Sequence, residues 1–173
     1  MTVARVQVVD SHTEGEPTRV VIAGGPDLVR ACGEAGLAPT LANQRRVFAE
    51  RFDAFRAAVV NEPRGAAHLV GALLAPATDS RCAAGVVFFN NVGVLNGCGH
   101  GTMGVARTLL HLRAGGGVGS GARGGDGGPA RWGAPVEMIA AGASMAIETP
   151  VGVVDVRVDA AGEIAIRNVP SVR

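Results

Sequence analysis

The residue types best suited to chemistry lie in one short stretch, Asn96-Gly97-Cys98-Gly99-His100-Gly101-Thr102, at the start of a predicted helix. Glycine on both sides of Cys98 lets the backbone approach a ligand closely. The unpaired N–H groups of a first helical turn can hold a carboxylate. The same partial positive charge lowers the pKa of a thiol, and His100 can lower it further. The pattern therefore predicts an anion-binding turn and a reactive thiolate in one element.

Other roles for these residues stay open at this point. A lone cysteine is more often a small buried hydrophobe than a catalyst, although a packed core cysteine does not need glycine neighbours. Cys32 and Cys82 have no such surroundings and are predicted to be structural. A zinc site formed by Cys82, Cys98 and His100 is disfavoured, because Cys-x-His is not a usual ligand pair and no second close pair exists. We expect no metal.

Two further polar stretches are candidates for a site. The first is DSHTEGEPTR at Asp10 to Arg19, where Asp, Ser and His are neighbours. Adjacent residues point apart, so they do not form a catalytic triad. We predict a polar turn between two strands there, with Glu16 and Arg19 pairing. The second stretch, Asn61 to Gly65, is typical of a polar turn before a strand and by itself indicates no chemistry.

A mixture of strands and helices is expected to position these stretches. The spacing of Phe48, Phe52, Phe55 and Val59 predicts an apolar helix face within residues 41–59. A second helix is predicted at residues 100–112. Apolar or alternating runs predict strands at residues 3–9, 18–23, 68–74, 85–89, 143–148, 153–158 and 163–169, with turns at 149–152 and 159–162.

Composition limits the classes of protein and partner. The chain has 173 residues, of which 47% are hydrophobic, as expected for one globular domain. Sixteen Lys and Arg against 15 Asp and Glu, with five Phe, one Trp and no Tyr, disfavour nucleic acid as a partner. No apolar stretch approaches the roughly 20 residues of a membrane helix, so no membrane is expected either. Three cysteines without a secretory leader favour a cytoplasmic location.

One segment differs from the rest in composition. Residues 114–133 are dominated by glycine and carry almost no apolar side chains, which predicts a flexible loop between the second helix and the last strands. The segment contains a formal GxGxxG match at residues 119–124. A dinucleotide-binding fingerprint follows a strand and opens a helix, whereas this match follows a helix, so we interpret it as chance.

Several motifs, taken together, resemble the proline racemase family, and more closely its 4-hydroxyproline 2-epimerase branch. Their order and approximate spacing agree across nearly the whole chain, and residues 114–133 are the main insertion. The motifs are DSHTEGEPTR at Asp10 to Arg19, EPRG…LVGALL from Glu62 to Leu74, GVVFFNN…GCGHGTMG from Gly85 to Gly104, IETPVG at Ile147 to Gly152 and RNVP at Arg167 to Pro170.

The resemblance implies an α/β fold of the diaminopimelate-epimerase type, in which each of two halves is a mixed sheet wrapped around a central helix. Residues 1–173 would be the N-terminal half-domain, with the C-terminal half absent. The implied reaction inverts the α-carbon of proline or hydroxyproline without a cofactor. One cysteine thiolate removes the α-proton, and a second thiol protonates the opposite face. Cys98 matches the first cysteine, and Gly99 and His100 match the contacts of the substrate carboxylate.

Some features depart from the family pattern. The opposing cysteine belongs to the half that this chain lacks, and neither Cys32 nor Cys82 matches it. The chain is therefore expected to dock with a C-terminal half or to form a homodimer. Glu14 stands where the family usually has glycine. Val92 and Val94 replace small polar and aromatic residues, which is expected to alter the fit of the substrate.

The resemblance favours one small-molecule substrate and leaves alternatives. The expected reaction converts trans-4-hydroxy-L-proline to cis-4-hydroxy-D-proline. The main alternative is racemisation of unsubstituted proline. A trans-3-hydroxyproline dehydratase is less favoured, because those relatives usually carry serine or threonine in place of Cys98. An amino-acid-binding remnant without turnover also stays open, since the second thiol is missing.

Overall fold

The structure is a computed structural model that describes residues 5–114, 137–139 and 142–169, the strand at 137–139 by its backbone alone. Most of the Gly-rich segment predicted to be a flexible loop (114–133), including the GxGxxG match, lies outside the described residues. The elements are β1 (Gln7–Thr13), β2 (Glu16–Ala23), α1 (Leu28–Glu34), α2 (Leu41–Arg51), α3 (Asp53–Val60), β3 (Val70–Ala75), β4 (Cys82–Phe89), α4 (Gly99–Arg113), β5 (Glu137–Ile139), β6 (Gly142–Thr149), β7 (Gly152–Asp159) and β8 (Ile164–Arg167).

The described strands form one mixed sheet in the order β1-β2-β3-β4-β6-β7-β8, with β5 paired to β6. The pairs β2–β3 and β4–β6 are parallel, and the other pairs are antiparallel. Each parallel pair is joined by a helical crossover, as parallel strands require. The expected α/β class with a mixed sheet is confirmed.

The central strands are buried on both faces, because helices cover each side of the sheet. On β4, Val86 and Phe88 lie in the core that contains α4, whereas Val87 and Phe89 lie in the core formed with α2 and α3. Side chains alternate between the faces of a strand, so one apolar run supplies both cores. Helix α4 contacts β1, β2, β3 and β8, which makes it the central helix of the expected architecture.

The first hairpin differs from the sequence prediction. We expected a strand at 3–9 and a polar turn over 10–17, but β1 extends through Thr13 and only Glu14 and Gly15 form the turn. Both turn residues have positive φ, 50° and 92°, as a two-residue hairpin turn requires. The prediction was wrong because β1 is an edge strand, where polar side chains on the solvent face do not prevent pairing.

The predicted helix at 41–59 is two helices. α2 ends before Phe52, which has φ −123° and ψ 27°, and α3 begins at Asp53. The apolar face is confirmed: Phe48 and Val59 are buried, and Phe52 and Phe55 pack against the same core. Helix α1 and strand β5 were not predicted, whereas the helix at 100–112 is confirmed as α4.

Candidate functional site

Cys98 is the N-cap residue of α4. Its backbone is extended, with φ −153° and ψ 115°, and its Sγ accepts a hydrogen bond from the N–H of Gly101 at 3.4 Å. The helix start is fixed by Thr102, whose N–H and Oγ1 both donate to the Cys98 carbonyl, at 2.9 and 2.8 Å. The N–H groups of Gly99 and His100 have no acceptor within the helix, because they precede its first turn of hydrogen bonds.

The chain leading from β4 to Cys98 is held by its own polar groups. The Asn90 side chain accepts from the N–H groups of Val92 and Gly93, at 2.9 and 3.0 Å. The Leu95 N–H then donates to the Phe88 carbonyl at 2.8 Å, so the segment folds back on β4 before α4 begins. Local turn chemistry therefore positions the thiol relative to the sheet.

Two glycines permit the close packing around the thiol. A Cβ on Gly101 would lie 2.9 Å from Cε1 of Phe88 and 3.1 Å from the Cys98 Sγ. A Cβ on Gly104, one turn further, would lie 2.8 Å from the Cβ of Thr18. Real Cβ atoms do not approach so closely, so both positions need glycine for the observed packing.

His100 lies beside the thiol. Its Nδ1 is 3.5 Å and its Nε2 3.9 Å from Sγ of Cys98. The His100 carbonyl accepts a hydrogen bond from Oγ1 of Thr13, at the end of β1, at 3.2 Å. The structure thus brings Cys98, Gly99 and His100 together, as the sequence predicted, and adds the β1–β2 hairpin as one wall.

The pKa of Cys98 differs in direction from the sequence prediction. We expected the helix N-terminus and His100 to lower it, but burial of the half-buried thiol raises the pKa. The hydrogen bond from Gly101 lowers it by less, and the negative charge of Glu16 raises it further. The prediction was wrong because removing a thiolate from water outweighs a single backbone donor.

Strand geometry excludes the pairing that was predicted in the first polar stretch. Glu16 and Arg19 are three residues apart on β2 and face opposite sides of the sheet, because side chains alternate. Arg19 instead donates from Nε and Nη2 to both carboxylate oxygens of Asp10, at 2.8 and 2.7 Å. Its Nη1 donates to the carbonyls of Val59, at 3.0 Å, and of Arg64. Arg19 therefore ties the hairpin to the 61–65 turn.

The other cysteines lie apart from this site. Cys32 and Cys82 are fully buried, in agreement with a structural role. Burial, with the charges of Asp79 and Glu148, raises the pKa of Cys82 to about 11. In the described part of the chain no three His, Cys, Asp or Glu side chains are clustered as metal ligands. No helix in that part is long and apolar enough to cross a membrane.

The β6–β7 turn forms a second wall. Pro150 and Val151 connect the two strands, and the Thr149 Oγ1 donates to the Gly152 carbonyl at 2.7 Å. Val151 lies next to Gly97, since its Cγ2 would be 3.7 Å from a Cβ at that position. Ile166 of β8 lies next to Gly99, since its Cδ1 would also be 3.7 Å from a Cβ there. The β1–β2 hairpin, the β6–β7 turn and β8 therefore surround the start of α4.

Sequence reasoning missed Thr13, which binds the His100 carbonyl, and Glu16, whose charge acts on Cys98. The alternation of side chains along β1 and β2 could have indicated them. Ser11 and Thr18 pair across the hairpin, and Thr13 and Glu16 pair two residues further on the same face. Which face meets α4 depends on long-range packing, and no local pattern determines that choice.

The profile of one family, described as "Proline racemase", matches residues 8–119. The chain belongs to the proline racemase family. It is 42% identical over 169 residues to a 4-hydroxyproline 2-epimerase of Pseudomonas aeruginosa, and the alignment covers 98% of this chain and 43% of that protein. It is 44% identical over 168 residues to the 4-hydroxyproline 2-epimerase of Xanthomonas campestris, covering 97% and 43%. The chain thus spans less than half the length of these curated relatives.

Solved structures show the same fold. A hydroxyproline epimerase from Agrobacterium vitis, solved with bound trans-4-hydroxy-L-proline, superposes with a TM-score of 0.67 at 24% identity, covering 89% of this chain and 37% of that one. A probable proline racemase from Agrobacterium radiobacter, with bound carbonate, gives a TM-score of 0.65 at 24% identity, covering 90% and 38%. At this identity the likeness concerns the fold alone.

Proposed function

We propose that this chain supplies one acid/base thiol, Cys98, and one side of the substrate site to a cofactor-independent epimerase of 4-hydroxyproline. The reaction inverts trans-4-hydroxy-L-proline to cis-4-hydroxy-D-proline. The observation that carries the proposal is the half-buried thiol at the N-cap of α4, beside backbone donors that the helix leaves unpaired. The names of the curated relatives support the choice of substrate.

The mechanism follows from the position of the donors. The N–H groups of Gly99 and His100 would hold the substrate carboxylate and stabilise the negative charge that develops when the α-proton leaves. The Cys98 thiolate takes that proton from one face of Cα. A thiol from outside this chain returns a proton to the other face, which completes the inversion without a net change in protons or electrons.

The raised pKa of Cys98 suits one side of a two-thiol mechanism. At neutral pH the protonated form dominates, so Cys98 is ready to donate a proton when the substrate arrives with the opposite configuration. In the other direction Cys98 must ionise first.

A second set of catalytic groups is required, and we propose two sources. The relatives are more than twice as long as the matched region, so one source is a further α/β half docking over the start of α4. The other is a second copy of this chain.

The free state of all three cysteines supports a reducing compartment such as the cytoplasm.

Deuterium exchange at Cα tests the proposed function directly. The chain is incubated with trans-4-hydroxy-L-proline in D₂O, and loss of the α-proton is followed by NMR together with optical rotation. We expect exchange that depends on Cys98, because one thiolate is enough to remove the proton. Accompanying inversion would show that a second acid is present, and L-proline in place of hydroxyproline tests the racemase alternative.

Two variants make the result specific. Cys98→Ser removes the base and should abolish exchange, whereas Cys32→Ser removes a buried thiol away from the site and should leave exchange in place. Binding of hydroxyproline without any exchange would instead favour a non-catalytic binding protein. Exchange that survives Cys98→Ser would sink the assignment of the base.

A further inference from the structure

Arg56 is a charged residue in the interior of the fold. It lies on α3 with 8% of its surface exposed, and no other charged residue whose side chain the structure describes is buried as fully. A charge removed from water must be paired and hydrogen-bonded. The Nε of Arg56 donates to Oδ1 of Asp53 at 2.6 Å, and its Nη1 donates to the backbone carbonyl of Asn90 at 2.7 Å. Arg56 therefore links α3 to the end of β4.

The two bonds of Arg56 differ in kind. Asp53 is on the same helix, three residues earlier, and its side chain is 72% exposed, so this ion pair is local and solvated. Asn90 is 34 residues away and follows directly after Phe89, the last residue of β4. The pair with Asp53 needs no buried guanidinium, because an exposed arginine on the same helix would form it equally well. The contact with Asn90 is therefore the one that accounts for the burial of Arg56.

Asn90 organises the turn that follows β4. Its Oδ1 accepts from the N–H groups of Val92 and Gly93, at 2.9 and 3.0 Å, and its own N–H donates to the Gly93 carbonyl at 2.8 Å. Val94 then bridges back to Phe89. The side chain and the N–H of Asn90 thus close the turn, and its carbonyl is bound by the guanidinium on α3. A movement of that carbonyl would carry the whole turn with it.

The turn leads directly to the residue that carries the thiol. Leu95, which follows the turn, packs against the same core as Cys98, and its N–H donates to the Phe88 carbonyl at 2.8 Å. Phe88 would lie 2.9 Å from a Cβ on Gly101, in the first turn of α4. These contacts connect the segment to its neighbours along the chain, β4 and α4. Arg56 adds a support from α3, which packs on the opposite face of the sheet.

We propose that Arg56 is a positioning residue for Cys98, which fixes the 90–97 segment beside the thiol by holding the Asn90 carbonyl. Its consequence for catalysis rests on the proposed function. Burial, the Gly101 N–H and the charge of Glu16 are the causes that shift the pKa of Cys98, so Arg56 does not act on the thiol by its charge. It acts through the segment, which keeps water from Sγ and holds the thiol in line with Cα of the substrate.

Thiol labelling tests the positioning without any need for turnover. Arg56→Gln removes the donor to Asn90, whereas the matched control Asp53→Asn removes the ion pair and keeps that donor. In Arg56→Gln we expect iodoacetamide to label Cys98 several times faster, because the loosened segment admits water to Sγ. The pH midpoint of labelling should fall, since burial is what raises the pKa of Cys98. Labelling of the buried Cys32 should not change, and Asp53→Asn should behave as the wild type.

Exchange kinetics supply the second measurement. Loss of the α-proton of trans-4-hydroxy-L-proline in D₂O is followed over a range of substrate concentrations for the wild type and both variants. Arg56→Gln should lower the maximal rate by about tenfold to a hundredfold, because a misplaced thiol loses orientation. KM should stay nearly constant, since the proposed carboxylate donors, Gly99 and His100, belong to α4. Rates are divided by the folded fraction from circular dichroism, so a loss of stability alone leaves them unchanged.

The outcomes separate this inference from the proposed function. Unchanged labelling of Cys98 in Arg56→Gln, or an equal rise for Cys32, would overturn the inference whatever the wild type does with substrate. If the wild-type chain exchanges no α-proton, the proposed function fails, and labelling still decides whether Arg56 positions the thiol.

A second variant covers the case in which Arg56→Gln does not fold. Arg56→Lys keeps the positive charge, but its amine lies one bond short of Nη1, so the Asn90 carbonyl must move or lose its donor. Faster labelling of Cys98 is expected in either case. Wild-type labelling and pH midpoint in Arg56→Lys would count against the inference.

Discussion

At the scale of single residues, Cys98 shows how two general effects compete. A helix N-terminus lowers a thiol pKa, but the packing that forms this one also removes Sγ from water, and burial is the larger influence. A sequence shows the glycines and the helix signal. It does not show that Phe88 lies close enough to exclude solvent from the same turn.

The reactivity of the thiols provides a test at this scale. We expect iodoacetamide to label Cys98 faster than Cys32 or Cys82 in the folded chain, because Cys98 is half-buried and the other two are fully buried. The labelling rate should rise with pH to a midpoint above that of an ordinary exposed thiol, since a raised pKa delays formation of the thiolate. Peptide mass spectrometry after timed quenching measures each rate.

Unfolding supplies the control for this experiment. In concentrated urea the three thiols become equally exposed and should react at similar rates. Equal rates in the folded chain, or a midpoint for Cys98 below that of the same thiol in urea, would contradict the burial argument.

At the scale of elements, the contact between the β1–β2 hairpin and α4 builds one wall of the site. Gly104 allows it, because a Cβ there would lie 3.0 Å from Ser11 Oγ and 2.8 Å from the Cβ of Thr18. Thr18 is fully buried and cannot move without moving β2. One missing methyl group in the helix thus lets the hairpin pack on α4, where Thr13 binds the His100 carbonyl.

Gly104→Ala tests this contact. Alanine favours a helix over glycine by about 1 kcal/mol, but here the clash with Thr18 should exceed that gain and lower the free energy of unfolding by roughly 1–2 kcal/mol. Gly33→Ala is the matched control: it is also helical, nothing lies within 4 Å of its Cβ, and it should stabilise the chain. Urea denaturation measures both. Stabilisation by Gly104→Ala would show that hairpin and helix are not in close contact.

At the scale of the whole molecule, Arg19 connects parts of the chain that are far apart in sequence. One guanidinium binds Asp10 on β1, the Val59 carbonyl at the end of α3 and the Arg64 carbonyl in the following turn. Two of the motifs found in the sequence, around residues 10–19 and 61–65, therefore meet on the face of the sheet opposite to Cys98. Their role is to hold the hairpin against which α4 packs.

Replacement of Arg19 should destabilise the whole fold. Arg19→Gln leaves the Asp10 carboxylate and two carbonyls without their donor, and we expect the free energy of unfolding to fall by about 2 kcal/mol. Arg46→Gln removes an exposed arginine whose bond to Glu50 lies on the surface of α2, and should produce no measurable change. An Arg19→Gln variant with unchanged urea midpoint would show that the three contacts contribute little.

Much of the architecture follows from local sequence. Alternating or continuous apolar runs predicted most of the strands, and helical spacing predicted α4 and the buried face of Phe48 and Val59, because these periods are set by backbone geometry. Glycine pattern and motif order indicated Cys98, Gly99 and His100 as one cluster. The break at Phe52 and the extent of β1 were not predictable in this way. Phe52 leaves helical geometry while the apolar spacing continues, and an edge strand tolerates the polar side chains that predicted a turn.

The sequence by itself determined the family, the fold class and the residues that begin α4. Only the tertiary structure decided what surrounds them: Arg19 binds Asp10 and not Glu16, and burial, with the charge of Glu16, raises the pKa of Cys98. The physical reason is that residue type and spacing act over a few residues. Burial and charge neighbours arise from contacts between strands and helices that are far apart along the chain.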